Sequence, residues 1–382
     1  MNIFFDARAL TNKRKSGIDE YVRLLTESLL NIDKKNHYIF FTNGFSKTKK
    51  TQFLKERENV SRVSWRIPNK IFDTISLLFS EPKVEKIVKR KIDIVFSPHF
   101  NLLNVSKKKT KRIIVFHDLS PIHFPELYPV RKQFWHWQQN IKEQVERTEK
   151  CVAVSDFTAQ DLRKTFLLSD HKVQRIYSGI NPFYKRLPVS DILNFRRSKN
   201  LQNPFLLFVG VLEPRKNITG IIKMFNILKK NPEYNNLKLI IAGKKGWLCD
   251  TIFREAGISV SKRDIIFWGE ASFEELRFLY NSCEIFVYPS FFEGFGFPPL
   301  EAQSCGAPVV VSNRSSFPEI IGNSGMLADP WRIEEQVSAI ETLMQNKKMK
   351  LEYIQRGYEN IKRFSWEKTA EQFLKLFNDL AE

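Results

Sequence analysis

Two successive α/β domains of the Rossmann kind are the fold this sequence predicts, and three observations carry the prediction. Its 382 residues give each of two such domains a core of its own, with no length left for a third. Short apolar runs rich in Ile, Val and Phe alternate with amphipathic stretches of helical period, the pattern of parallel βαβ units. A polar, basic stretch between Pro182 and Asn203 interrupts that alternation near the middle and is expected to be the linker.

In the first half the apolar runs at 3–6, 38–42, 94–97, 113–116, 152–154 and 173–177 read as strands. Helices are expected between them. Over 18–31 the residues Tyr21, Leu24, Leu25 and Ser28 to Leu29 share one face, and a second helix is expected over 131–147. The second half repeats the scheme, with strands at 206–209, 239–242, 265–268, 285–288 and 309–311. Ser272 followed three residues later by Glu275 has the form of a capping box, which starts a helix over 273–281. Ser365 is a plausible N-cap for a last helix whose apolar positions, Trp366, Ala370, Phe373, Leu374 and Phe377, suit one buried face. The 33 Phe help fill cores and carry no functional meaning of their own.

Cys151, Cys249, Cys283 and Cys305 are irregularly spaced, without a C-x-x-C pair, so a reduced thiol set is expected. No apolar run approaches the roughly 20 residues that span a bilayer, and the opening Met1 to Asp6 does not resemble a signal peptide. A soluble, cytoplasmic protein is the expectation. Formal net charge is +19, unevenly placed: residues 1–150 carry 30 Lys and Arg against 16 Asp and Glu, the remainder 31 against 26. The excess gathers at Lys13-Arg14-Lys15, at Lys47 with Lys49-Lys50, at 83–91, and at Lys107-Lys108-Lys109 with Lys111-Arg112. A single such cluster is usually a solvated surface; four in one half point to a phosphate-rich or anionic-membrane partner.

The chemistry concentrates in the stretch from Tyr288 to Ala302, Y-P-S-F-F-E-G-F-G-F-P-P-L-E-A. It follows a strand and enters a helix. Gly294 and Gly296 allow a tight turn, and Pro298 and Pro299 suit a first helical turn, where a missing N–H costs little. Free N–H groups at the carboxyl edge of a parallel sheet bind phosphate, although turns of this kind also occur in domains that bind nothing. Glu293 and Glu301 argue for a ligand. Carboxylates beside a phosphate are not phosphate ligands; they accept hydrogen bonds from sugar hydroxyls, one from a nucleotide ribose and one from the attached hexose.

This segment resembles the Glu, seven residues, Glu signature of the retaining glycosyltransferases of family four, also called group 1, and other motifs follow in order. Phe208-Val209-Gly210 with Glu213-Pro214-Arg215-Lys216-Asn217 is similar to that family's diphosphate-binding loop, with Val211 where many relatives have a further Arg. Phe5 to Arg8 and Ser16 to Tyr21 resemble its opening strand and glycine loop, particularly in a branch rich in bacterial mannosyltransferases. Val115 to Leu119 resembles its strand-end His motif, 154–158 the close of its acceptor domain, and Phe364-Ser365-Trp366 the start of its terminal helix.

The resemblance implies the GT-B architecture: two Rossmann-like domains with a cleft between them, the acceptor domain over 1–183, the nucleotide-sugar domain over 200–364, and a C-terminal helix, 365–382, crossing back to the first domain. It implies that Glu301 binds the ribose and Glu293 the donor sugar. The backbone of Gly294, Phe295, Gly296, Phe297 and Leu300 would lie around sugar and phosphate. Gly17 and Gly210 would approach the diphosphate, Arg215 and Lys216 would stabilise the leaving charge, His117 would face the reacting sugar, and Trp268 with Glu270 would contact the base. Without the resemblance, His117 beside Asp118 suits a structural role as well as a catalytic one, and the other five histidines have no comparable setting.

The implied reaction is retaining transfer of a hexose, mannose favoured, from a nucleoside-diphosphate sugar to a glycan or lipid-linked acceptor in polysaccharide or lipopolysaccharide synthesis. No metal or other cofactor is expected, since no Asp-x-Asp motif is present and Arg215 and Lys216 supply positive charge. The basic half would rest peripherally on the inner face of an anionic membrane. Two other readings compete: another GT-B enzyme, such as a sugar-nucleotide epimerase or phosphorylase, and a basic nucleic-acid-binding protein. Transfer of sugar to an acceptor separates the first. The second has no helix-turn-helix, zinc or aromatic-ribonucleoprotein signature to accompany its charge, so no nucleic acid is expected.

Overall fold

The structure is a computed structural model and describes residues 1–11, 17–43, 54, 57–88, 90–106 and 110–382. The clusters at Lys13-Arg14-Lys15, at Lys47 with Lys49-Lys50 and at Lys107-Lys108-Lys109, with Ser16 of the glycine loop, lie outside the described residues. The chain forms two units. The first comprises Met1–His123, Val130–Gly179 and Ser365–Glu382; the second, Phe124–Pro129 and Ile180–Phe364.

The first unit is built on a seven-stranded parallel sheet. Its strands are β1 (Asn2–Asp6), β2 (His37–Asn43), β3 (Val60–Trp65), β4 (Ile94–Ser97), β5 (Lys111–Phe116), β6 (Lys150–Ala153) and β7 (Val173–Arg175), in the order β3-β2-β1-β4-β5-β6-β7. Ile3 lies beside Tyr38 on one side and Ile94 on the other. Strands covered on both faces need apolar residues throughout, which is why Phe4, Phe5, Phe40, Phe41 and Phe96 are all fully buried. Phe5 meets Phe40 and Phe96 at centroid distances of 4.8 and 5.0 Å. The last helix, Trp366–Ala381, belongs to this unit and sets Phe373 and Phe377 against Phe96, at 5.1 and 5.4 Å. Gly179 allows the helix start to approach, since a Cβ there would lie 2.2 Å from the Trp366 amide.

The second unit has a six-stranded parallel sheet of β8 (Phe205–Val209), β9 (Lys238–Ala242), β10 (Ile265–Gly269), β11 (Ile285–Tyr288), β12 (Val309–Ser312) and β13 (Met326–Ala328). The order β10-β9-β8-β11-β12-β13 makes it doubly wound, with the reversal between β8 and β11. Ligands of such sheets bind outside the strand ends at that reversal. In the first unit the reversal falls between β1 and β4.

Several expectations are corrected. The stretch 131–147 is two helices, Val130–Gln138 and Ile141–Glu146, broken at Asn140, which takes a left-handed conformation (φ 45°) that Asn tolerates. Buried Gln139 anchors the break by accepting from the Leu102 amide at 2.8 Å. The basic stretch before Phe205 is not a linker: it holds helix Val189–Ser198, and the Arg196 guanidinium donates to the carbonyls of Leu201, Gln202 and Asn203. The boundary falls instead between Gly179 and Ile180. Ser365 occupies the N-cap of the last helix without a side-chain capping bond, and Leu376 rather than Leu374 completes the buried face. The strand expected over 173–177 ends at Arg175. Strands β3 and β13 were not expected; both are sheet edges, the first half-exposed and the second three residues long.

The box at Ser272 and Glu275 forms as expected, with bonds of 3.1 and 3.0 Å. All four cysteines are free. Among the described residues no helix is long and apolar enough to cross a membrane.

Candidate active site

In the second unit the site grows from two loops at the reversal point. The first leaves β8 at Val209. The Gly210 amide donates to the Ala242 carbonyl at 2.9 Å, and Gly243 (φ 147°) sits so close that a Cβ would come 1.8 Å from the Gly210 oxygen. Further bonds, Leu212 N to Lys244 O and Gly246 N to Leu212 O, hold the loops after β8 and β9 together. Val211 packs over Gly246, where a Cβ would meet its Cγ1 at 2.7 Å. Pro214–Lys216 makes one 3-10 turn, and Asn217, left-handed at φ 55°, ties it down by donating to the Pro330 carbonyl at 2.8 Å. Arg215 and Lys216 therefore project from a fixed backbone.

The second loop follows β11 and is fastened to the first. The Phe291 amide donates to the Arg215 carbonyl at 2.9 Å, and Ser290 Oγ lies 3.1 Å from the same oxygen. Glu293 then meets both cations: Arg215 Nη1 lies 3.1 Å from Oε2, and Lys216 Nζ forms an ion pair with Oε1. Ser290 Oγ (2.9 Å) and Tyr288 Oη (3.2 Å) also donate to Oε1, while Lys216 Nζ donates to Tyr288 Oη at 2.8 Å. Glu213 pairs with Arg215 at 2.8 Å. Burial by itself disfavours the Glu293 carboxylate, but Arg215 and Lys216 outweigh it and hold the carboxyl down at about 2. Glu213, Lys216 and Glu293 are all buried. Two cations and two carboxylates thus neutralise one another away from water, an arrangement in which losing one partner typically costs about 3–5 kcal/mol.

Beyond Glu293 the chain passes through buried Gly294 and Phe295 to Gly296, whose φ of 91° excludes a side chain: a Cβ would lie 2.7 Å from the Phe317 ring. Helix Phe297–Ser304 begins there with two prolines in its first turn. The amides of Gly296 and Phe297 meet no acceptor among the described residues, so this helix start offers hydrogen bonds and a partial positive charge. Leu300 is buried beneath it. Glu301, next in the helix, accepts from Tyr280 Oη at 2.8 Å. Trp268 lies on edge strand β10 with its ring near Phe195 (6.4 Å) and Lys199 Nζ (5.6 Å), and Glu270 follows it, exposed. Among the described residues neither makes a hydrogen bond, ion pair or ring contact with the loops after β8 and β11.

His117 and Gly17 belong to the first unit. His117 stands at the end of β5 with its Nε2–H donated to the Pro98 carbonyl at 2.9 Å, which leaves Nδ1 as the acceptor nitrogen. Burial lowers its pKa below the usual 6.5, against the raising effects of the Pro98 bond and Asp118, so the ring is neutral at pH 7. Tyr21 packs edge-on at 4.6 Å and His99 lies at 5.8 Å. The expectation that no other histidine shares this setting is therefore corrected. Gly17 opens helix Gly17–Ile32, and a Cβ there would meet nothing within 4 Å. Beside it is a polar cavity of about 250 Å³ lined by Arg8, Asp19, Asn69, Asp73, His99 and Trp135 among others. Arg8 is locked between Asp6 (2.8 Å) and Asp73 (3.2 Å). Asn69 Oδ1 and His99 Nδ1 are buried without a partner among the described residues.

Sequence reasoning missed Tyr288, Ser290 and Tyr280, which support the two glutamates, and His99. Tyr288 and Ser290 lie within the informative stretch, but nothing in a residue pattern says that a strand-end Tyr will turn its hydroxyl to a carboxylate five residues on.

Two doubly wound parallel sheets, one carrying a buried cation and carboxylate cluster at its reversal point, define the class: a glycosyltransferase of GT-B architecture. The fold is shared with sucrose-phosphate synthase from Thermosynechococcus elongatus (TM-score 0.75, 18% identity, 99% of this chain and 98% of that one). Residues 190–360 match the family Glycosyl transferases group 1 and residues 16–182 match Glycosyltransferase Family 4. Both models describe glycosyltransferases, and each matches one half of this glycosyltransferase chain. Among curated relatives, O-antigen chain mannosyltransferase B of Escherichia coli is 29% identical over 285 residues, covering 74% of both chains. Serotype-specific mannosyltransferase WbdA of Escherichia coli is 28% identical over 275 residues, 71% of this chain, which spans only 34% of that longer relative.

Proposed function

We propose that this glycosyltransferase moves a mannosyl residue from a nucleoside-diphosphate sugar to a glycan or lipid-linked acceptor in the synthesis of a cell-surface polysaccharide such as lipopolysaccharide. The mannosyl assignment is supported by the two mannosyltransferase relatives. The observation that carries the reaction type is the cluster of Arg215, Lys216 and Glu293 beside a helix start with free amides. The bond from the sugar C1 to the diphosphate oxygen breaks, a new C1–O bond to the acceptor forms, and the acceptor proton passes to the departing phosphate. Negative charge grows on the leaving diphosphate, and the fixed guanidinium and ammonium stabilise it at no reorganisation cost. No metal is needed in this reading. Glu301 accepts from the ribose, Glu293 positions the two cations and accepts from the donor sugar, and the front-side course of the displacement retains configuration. Neutral His117 hydrogen-bonds a hydroxyl of the reacting sugar.

The acceptor's sugar is assigned to the cavity of the first unit, whose unpartnered Asn69 Oδ1 and His99 Nδ1 suit hydroxyl donors and whose Trp135 suits a sugar face. The protein is placed peripherally on the inner face of the membrane, its basic half serving that surface rather than nucleic acid. The test is product analysis after incubation with GDP-, UDP- and ADP-sugars and a mannosylated acceptor, in the presence of a chelator. A new α-linked mannose from one donor is expected; hydrolysis or epimerisation without transfer would overturn the reading.

A further inference from the structure

Two neighbouring helices of the first unit are inside out. In helix Asn69–Phe79 the buried residues are Phe72, Asp73 and Ser76, whereas Ile71, Ile75, Leu78 and Phe79 are 52, 37, 68 and 69% exposed. Their spacing places the four on one face. In helix Val130–Gln138 the buried residue is Gln138, while Val130, Phe134 and Trp137 are exposed, the last two stacked at 5.6 Å. Polar bonds hold the helices in this orientation. Asp73 is paired with Arg8, Gln138 Nε2 donates to Thr74 Oγ1 at 3.2 Å, and Asn104 Nδ2 donates to the Ser76 carbonyl at 3.0 Å. An apolar groove of about 390 Å³ lined by Trp65, Ile67, Ile75 and Pro82 continues the face.

Ordinary surface helices turn such stripes inward, and apolar surface left in water forgoes roughly 25 cal/mol per Å². A contiguous exposed stripe marks a partner. Charge says which partner. Residues 60–91 carry eight Lys and Arg against three Asp and Glu, and Arg62, Arg66, Lys70, Lys83, Lys86 and Arg131 are all exposed. The cores of protein interfaces are depleted in Lys, whereas helices lying in a bilayer interface pair Trp, Phe and Leu with a rim of Lys and Arg.

We propose that this two-helix face inserts into the headgroup region of an anionic bilayer, through Ile71, Ile75, Leu78, Phe79, Phe134 and Trp137. It rests on the membrane placement made above and gives it a hydrophobic component, so that binding is not a matter of charge alone. The test uses the full chain and vesicles of phosphatidylethanolamine with phosphatidylglycerol, sedimented at low and high salt. Wild type is expected to retain part of its binding at high salt, and the exposed-residue variants Leu78→Ser/Phe79→Ser and Phe134→Ser/Trp137→Ser to lose about tenfold of it. Trp137→Phe should remove most of the vesicle-induced fluorescence shift. Binding that salt abolishes equally in all proteins, or a wild-type dimer that the variants turn into monomer, would overturn the proposal. Nucleotide binding and transfer to a water-soluble acceptor are measured in the same variants and should be unchanged, so a failed transferase reading is told apart from a failed docking face.

Discussion

The reversal points of the two sheets are built in opposite ways. In the second unit the loops after β8 and β11 are fastened backbone to backbone, and the charges of Glu213, Arg215, Lys216 and Glu293 are all matched. In the first unit the corresponding edge surrounds a cavity in which Asn69 Oδ1 and His99 Nδ1 have no partner among the described residues. In the proposed reaction the matched region meets the same diphosphate in every turnover and gains from a fixed electrostatic frame. The open region accepts a particular glycan in that reading and gains from polar groups left open to it.

The largest expected effect comes from breaking the matched side. Lys216→Ala leaves Glu293 short of a cation and removes charge from the leaving group. A rate loss of about a hundredfold or more, roughly 3 kcal/mol in the barrier, is expected in steady-state kinetics. Gly243→Ala tests the backbone seam: with a Cβ 1.8 Å from the Gly210 oxygen the loops must part, and a fall in the melting temperature of the second unit is expected, larger than that of any surface substitution. On the open side the effect is smaller and of a different kind. Trp135→Ala should raise the acceptor KM several-fold while donor binding is unchanged, and an equal loss in both would erase the contrast.

Titration sharpens the comparison. Glu293, held at about 2, contributes stability that is present above its ordinary 4.5 and is lost as pH falls from there toward 2. For His117 the folded pKa lies below 6.5, so the unfolded chain binds more protons just below that value and stability rises with pH through the window. An acid limb of kcat/KM lying below pH 6.5 and removed by His117→Asn is therefore expected, whereas Glu293 should contribute no limb above pH 4.5. The smallest effect is reserved for a helix cap that carries none of the proposed chemistry. Ser272→Ala loses the capping box for about 1 kcal/mol in chemical denaturation, without change in turnover.

Much of this was legible in the sequence because it lies in local pattern. The buried strands announce themselves as apolar runs, and the stretch from Tyr288 to Ala302 displays its glycines, prolines and glutamates in order. What escaped depends on tertiary partners. Strand β3 is half-exposed and carries Arg62 at its middle, so periodicity conceals it. The helix expected over 131–147 breaks because Gln139 finds a distant amide, that of Leu102. The basic stretch before Phe205 has the composition of a linker, and only the bonds of Arg196 to the backbone carbonyls of Leu201, Gln202 and Asn203 fix it as structure. The resemblance gives Glu293 the donor sugar, but its grip on Arg215 and Lys216 follows from loops joined across two strands.

The central claim is that the loops after β8 and β11 form a preorganised nucleoside-diphosphate site, and calorimetric titration of GDP, UDP and ADP into wild type, Lys216→Ala and Glu301→Ala tests it most directly. The account predicts that one nucleotide binds wild type selectively, with affinity lowered about tenfold or more in each variant, through lost phosphate charge in one and a lost ribose acceptor in the other. Equal binding in all three proteins, or none to wild type, would contradict it.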